Sequence, residues 1–137
     1  MRLLAWSALA AAGVVVLVVR LRRRYVEVTV DGTSMAPTYQ PGDRVLVRRA
    51  HLPDLRVGDI VVLRHPDSRR GTWLIKRVAA LPGDAVPTAL RSRLGGETTV
   101  PAGEVVVLGD AGKRSYDSKH FGSVPAERVL GVAIRIA

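Results

Sequence analysis

At 137 residues the chain has room for one compact domain and an anchor, but not for two cores. It has no cysteine, which excludes a disulfide framework, a zinc–thiolate centre and a thiol nucleophile. A formal charge of +9 favours anionic partners, lipid headgroups or nucleic acid, while 4% aromatics leave the core to Val, Leu, Ile and Ala.

In chain order, the first element is the uncharged run Leu3 to Val19, "LLAWSALAAAGVVVLVV". As a helix it extends roughly 25 Å, at the short limit for a bilayer core. A single membrane anchor is the favoured reading. A cleaved signal peptide lacks its small-x-small site, because the run ends in Val-Val-Arg. A buried core helix is the third alternative. Arg20, Arg22, Arg23 and Arg24 follow, a basic flank that suits anionic lipid or a plain stop-transfer role. By the positive-inside rule this cluster would hold the body of the protein in the cytoplasm.

From Tyr25 the pattern changes to short apolar runs between turns. "YVEVTV" alternates, with Tyr25, Glu27 and Thr29 on one face and three valines on the other. A Gly-Asp turn then recurs at Gly42-Asp43 before "RVLVRR", at Gly58-Asp59 before "IVVLRH" and at Gly83-Asp84 before "AVP". Each turn is expected to launch a strand. Thr88 to Pro101 reads as a polar loop or small hairpin. Further strands are expected at Glu104 to Leu108 and Val129 to Ile136, with a short helical turn at Pro125 to Arg128. The fold class is therefore mainly β: a single antiparallel β-sheet domain over residues 25–137. One N-terminal transmembrane helix and its basic flank, residues 1–24, precede it.

Two residues stand out against this frame. Ser34 lies between Gly32, which permits a strained backbone, and Pro37, which keeps Ala36 out of helical geometry. Such a stiff turn presents a hydroxyl together with its own N–H, the nucleophile and oxyanion donor of acyl transfer. Lys76 sits inside the apolar strand "WLIKRV". Alternation puts Leu74, Lys76 and Val78 on one face and Trp73, Ile75 and Arg77 on the other. If the first face is buried, desolvation lowers the lysine pKa toward a neutral base while Arg77 reaches solvent. Arginine does not deprotonate and could not serve. The competing reading is an edge lysine whose amine snorkels to water. His51, His65 and His120 have no sequence feature that marks a general base, and Lys113 and Lys119 lie in a polar loop.

Taken together, "GTSMAPTYQPGDRVLV", "GDIVVLRHP", "WLIKRVAALPGD" and "VVVLGDAGKRSYDSKHFGSVPAERVLGVA" resemble the boxes of type I signal peptidases, in the family's order after an N-terminal anchor. The resemblance implies a Ser–Lys dyad, with Ser34 as nucleophile, Lys76 as base and Ser115 orienting the lysine amine. It places the oxyanion hole at the Ser34 N–H and Gly32, and gives Asp110, Asp117 and Ser118 to a structural motif. Substrates would be preprotein signal peptides, bound extended and cut after small residues. Membrane lipids are a further expected partner; nucleic acid, metal and cofactor are not expected. Three positions depart from the pattern. Gly32 replaces the serine of many relatives, whose hydroxyl serves the oxyanion hole. Ala111 replaces an asparagine, and Lys119 an arginine that pairs with the motif's aspartate, which puts the rigidity of that loop in question. The large β insertion of some bacterial members is missing.

The resemblance also implies a cell-membrane, single-pass protein with its catalytic domain on the extracytoplasmic side, against the arginine cluster. A dedicated maturation peptidase for one or a few substrates is the alternative of the same chemistry. A self-cleaving Ser–Lys repressor lacks its DNA-binding module here. A membrane-tethered basic binding module explains the charge but not the serine and lysine boxes.

Overall fold

The computed structural model describes residues 2–67 and 71–135. Helix α1, Arg2–Arg24, includes a 20-residue stretch, Ala5–Arg24, of mean hydropathy 1.7 with no residue packed inside the protein. At about 1.5 Å per residue it is long enough to cross a hydrocarbon core. The helix runs on through the arginine cluster and hands over directly to β1, Tyr25–Thr29.

The remaining strands are β2 (Arg44–Arg49), β3 (Ile60–Arg64), β4 (Trp73–Ala80), β5 (Glu104–Leu108), β6 (Val124–Pro125) and β7 (Val129–Arg135). They form one antiparallel sheet in the order β1-β2-β7-β3-β4-β5-β6. Ile136, expected at the end of the last strand, lies outside the described residues. A helical turn at Ala126–Arg128 agrees with the expected one.

The sheet curls, so both of its faces bury side chains. Val61, Leu63, Val78, Val105 and Val107 pack on one side; Met35, Tyr39, Val45, Val47, Val62 and Ile75 pack on the other. Period-2 alternation assigns neighbours such as Val61 and Val62 to opposite cores. Curling needs close strand approach at one point. A Cβ on Gly131 would lie 2.1 Å from the Arg48 carbonyl oxygen, so only glycine lets β7 close on β2 there. The β3–β7 register also shifts between Val62 and Leu63.

The three Gly-Asp turns share one device. Asp43, Asp59 and Asp84 each accept, through Oδ2, the backbone N–H three residues earlier, at 2.8, 2.9 and 2.9 Å. Two of them launch strands as expected. The third does not: after Asp84 only Ala85 makes a bridge, to Thr99. Nor is 88–101 simply a polar loop. It carries a 3-10 turn at Thr88–Leu90 and buries Leu90, Leu94 and Val100 with Val86 against Ala80 and Val106. Its apolar residues are too sparse and aperiodic to announce a core from sequence.

Candidate active site

Ser34 sits on the loop between β1 and β2. The base of that loop is closed by Val30 N–H to the Asp43 carbonyl (2.8 Å) and Gly42 N–H to the Val30 carbonyl (2.9 Å). Met35 and Tyr39 anchor it by inserting into the core, at 1% and 4% exposure. Ser34 is thus positioned in part through its buried neighbour Met35. The Ala36–Pro37 peptide is cis. Among the described residues nothing accepts a hydrogen bond from the Ser34 N–H.

Lys76 comes from β4 and is 2% exposed, on the same face as the buried Val78, as alternation required. Its Nζ donates to Ser34 Oγ at 2.7 Å and to the Ile75 carbonyl at 3.0 Å. Burial lowers its pKa to about 8; the Asp117 carboxylate opposes this shift and Lys119 reinforces it. The opposite face of β4 departs from expectation. Ile75 is buried too, because the curled sheet covers both sides. Arg77 is not a free solvent charge. It grips Asp110 with two bonds, Nε to Oδ1 at 2.9 Å and Nη2 to Oδ2 at 2.6 Å, and donates through Nη1 to the Gly58 carbonyl. Thr38 Oγ1 also donates to Asp110. The bonds from Arg77, then that from Thr38, outweigh burial and lower the Asp110 pKa.

The segment after β5 brings the remaining candidates together. Asp117 is fully buried and accepts Gly109 N–H (2.8 Å), Lys119 N–H (3.0 Å) and Lys119 Nζ (2.7 Å). Burial pushes its pKa up, but these bonds outweigh it and the net shift is downward. The fork that an arginine would offer is replaced here by one ammonium and one backbone N–H of the same residue. Ser118 Oγ accepts Val107 N–H at 3.0 Å. Ala111, without a side-chain amide, uses its backbone N–H to bond the Ser34 carbonyl at 3.0 Å. The Ser115 hydroxyl is buried near Asp117, where it adds a weak downward pull on that pKa, but it makes no ordinary hydrogen bond to any described residue, Lys76 included.

Sequence reasoning missed Gly109. A Cβ there would fall 1.9 Å from Ser115 Oγ and 2.5 Å from the Ser34 carbonyl oxygen. This glycine is what allows the serine loop and the Ser115 segment to meet. Its φ is not in the left-handed region, so no turn chemistry marks it. Arg77 and Thr38 were also missed, although both stand inside the quoted boxes. Gly32 has φ +77° and open space where a side chain would project. His65 stacks on Tyr116 and His120 packs against it at a tilt, and their Nδ1 atoms accept the backbone N–H groups of Asp67 and Asp117. Tyr116, which reads as a loop residue from sequence, instead ties this segment to the β3–β4 turn by donating to Asp67 at 3.1 Å. No metal-binding cluster occurs among the described residues.

Beside the Ser34–Lys76 pair lies a small cleft of about 80 Å³, lined by Val28 to Asp31, Val62 and Trp73 to Lys76. Pairing of β4 with β5 begins only at Arg77. Since Thr72 and Val78 carbonyls face the β3 side, alternation turns the backbone groups of Trp73 and Ile75 to the unpaired edge along this cleft.

A family model described as signal peptidase, peptidase S26, matches residues 2–94 and 88–137. Signal peptidase I V of Bacillus subtilis is 28% identical over 88% of this chain and 92% of its own length. A probable signal peptidase I-2 of Synechocystis is 32% identical over 76% of this chain, which spans 59% of that relative. A mitochondrial ATP-independent inner membrane protease subunit 1b of Arabidopsis thaliana is 36% identical over 73% of the chain, which spans 62% of it. The crystal structure of a signal peptidase I from Enterococcus faecalis matches with TM-score 0.47 and 25% identity, over 58% of this chain and 96% of the other.

Proposed function

Because the chain belongs to the signal peptidase family, peptidase S26, and is a serine endopeptidase that removes signal peptides, we propose that Ser34 is its nucleophile and Lys76 its general base. The 2.7 Å contact from Lys76 Nζ to Ser34 Oγ, in a site that lowers the lysine pKa to about 8, carries this assignment. At pH 7 about one amine in ten is then neutral, against one in thousands for an exposed lysine.

In the first step the neutral amine takes the Ser34 proton as Oγ bonds to the scissile carbonyl carbon. The resulting ammonium returns that proton to the leaving nitrogen as the C–N bond breaks, leaving an ester on Ser34. Lys76, neutral again, deprotonates a water that attacks the ester, and the proton passes back to Ser34 Oγ. The unengaged Ser34 N–H, on a backbone shaped by Gly32, donates to the developing oxyanion. Ser115 orients the Lys76 amine once substrate excludes water. Asp110, Asp117 and Ser118 keep the surrounding loops in register.

The peptide binds extended against the free edge of β4, with small side chains in the cleft beside Ser34; a cleft of about 80 Å³ holds a side chain of only a few carbon atoms. Residues 1–24 act as a single membrane anchor with a basic flank, and residues 25–137 as the peptidase domain on the extracytoplasmic side. Because the chain has no cysteine, a Val57→Cys variant at an exposed site reports sidedness by impermeant thiol labelling of intact cells.

The deciding assay is cleavage of a preprotein by detergent-solubilised chain, with product mass locating the cut. Ser34→Ala and Lys76→Ala each abolish cleavage; near-normal turnover by a folded Lys76→Ala variant removes the dyad. The mitochondrial protease relatives keep a dedicated maturation role as the second reading. Processing of a preprotein panel, against a single accepted substrate, separates the two.

A further inference from the structure

The strand register gathers a set of residues at the end of the sheet from which α1 leaves. Tyr25, the first residue after the helix, pairs with Arg48; Arg49 pairs with Gly131; Val129 pairs with Leu63; and Arg64 pairs with Trp73. This end therefore lies nearest the lipid surface if α1 spans the membrane. A cleft of about 1150 Å³ opens here, lined by Arg49, Arg64, Trp73 and Arg128, with Asp67 and Glu127 as the acidic members. Asp67 already accepts the Tyr116 hydroxyl. Arg128 is held in place by Nη1 bonds to the His65 and Pro66 carbonyls, at 3.2 and 3.1 Å. The Arg64 guanidinium stands 5.5 Å from the centre of the Trp73 ring, and the indole remains 43% exposed.

We propose that this cleft binds the phosphate of an anionic phospholipid headgroup, with Arg49 and Arg64 as its ligands and the Trp73 indole seated at the lipid interface. Guanidinium groups match phosphate oxygens in a fork, and a half-exposed indole suits the headgroup level. The four arginines at the end of α1 add to the field at this end of the molecule but do not line the cleft. Trp73 also lines the cleft beside Ser34, so a bound headgroup sits next to the edge of β4 that would receive substrate. The inference rests on the membrane anchoring proposed above and is independent of the dyad.

The test uses the full chain carrying Trp6→Phe, which leaves Trp73 as its one tryptophan, in phosphatidylcholine vesicles. Brominated phosphatidylglycerol or brominated phosphatidylcholine is added, and quenching of Trp73 fluorescence is followed. Quenching is expected at a several-fold lower fraction of the anionic lipid. Arg49→Gln and Arg64→Gln should each cut that selectivity about fivefold, while Arg→Lys at both sites, which keeps the charge but not the fork, should retain a smaller but clear preference. Replacing Arg20, Arg22, Arg23 and Arg24 with Gln should leave a clear preference. Equal quenching by the two lipids overturns the proposal. So does selectivity that disappears with the helix arginines alone. Hydrolysis of a soluble peptide, measured alongside, reports on the folding of each Gln variant and on the dyad separately. Where a Gln variant is unfolded, anionic selectivity no greater than neutral in the Lys variant overturns the proposal by itself.

Discussion

Replacing Lys76 by methionine should make the protein inactive and more stable, and the gain should depend on pH. Burial lowers the lysine pKa from 10.5 to about 8. The neutral form is thus favoured on folding, and the native state carries a penalty wherever the unfolded lysine is protonated, because the folded chain must either bury the ammonium or give up its proton. For a lysine with a depressed folded pKa the sign is fixed: the penalty is full below pH 8 and fades as pH rises toward 10.5. A shift from 10.5 to about 8 corresponds to about 3 kcal/mol at full development. Since Lys76 is only 2% exposed, little solvent screening reduces this figure. Methionine has a similar reach and no charge. It also abandons the bonds to Ser34 Oγ and the Ile75 carbonyl, which takes back about 1 kcal/mol. The net gain at pH 7 is about 2 kcal/mol, a rise in thermal midpoint of roughly 5–10 °C in detergent. Midpoints measured from pH 7 to pH 10 should converge. A Met variant no more stable than the parent at pH 7, or a gap that does not change with pH, refutes the account of Lys76 as a lysine held against its own charge.

Three further outcomes follow from the same geometry. kcat/KM should rise about tenfold per pH unit below a plateau that begins near the Lys76 pKa of about 8, and a profile flat through that region contradicts the neutral-amine mechanism. Gly109→Ala should lower stability by about 3 kcal/mol and cleavage by at least a hundredfold, because its methyl group overlaps Ser115 Oγ and the Ser34 carbonyl; wild-type activity would show that the two loops are not in contact. Asp117→Ala should cost about 3 kcal/mol at pH 7 by stranding Gly109 N–H and the Lys119 ammonium. Since the Asp117 pKa is lowered in the fold, its contribution is present above the usual carboxylate pKa and is lost as pH falls through the folded value. The denaturation midpoints of variant and parent should therefore approach each other in acid, and a constant difference refutes the role.

Much of the architecture is written locally. Runs of β-branched residues define strands at 44–49, 60–64 and 104–108 without reference to the rest of the chain, and the first two are each opened by a turn whose aspartate accepts a nearby backbone N–H. An uncharged run of helical length identifies α1, and one lysine among arginines inside an apolar strand identifies Lys76, because alternation and hydrophobicity are properties of neighbours in sequence. Other features depend on residues far apart. That Lys76 Nζ meets Ser34 Oγ follows from a curled sheet that brings the β1–β2 loop over β4, across 42 positions of chain. The ties of Arg77 to Asp110, and the need for glycine at 109 and 131, arise only where separate strands touch. The core of 86–100 forms from sparse apolar residues with no period of their own, which find their partners on β4 and β5. Short-range pattern determines which segments are strands. Long-range closure determines which of their polar side chains lose water and face one another, and the chemistry of the site resides in that second step.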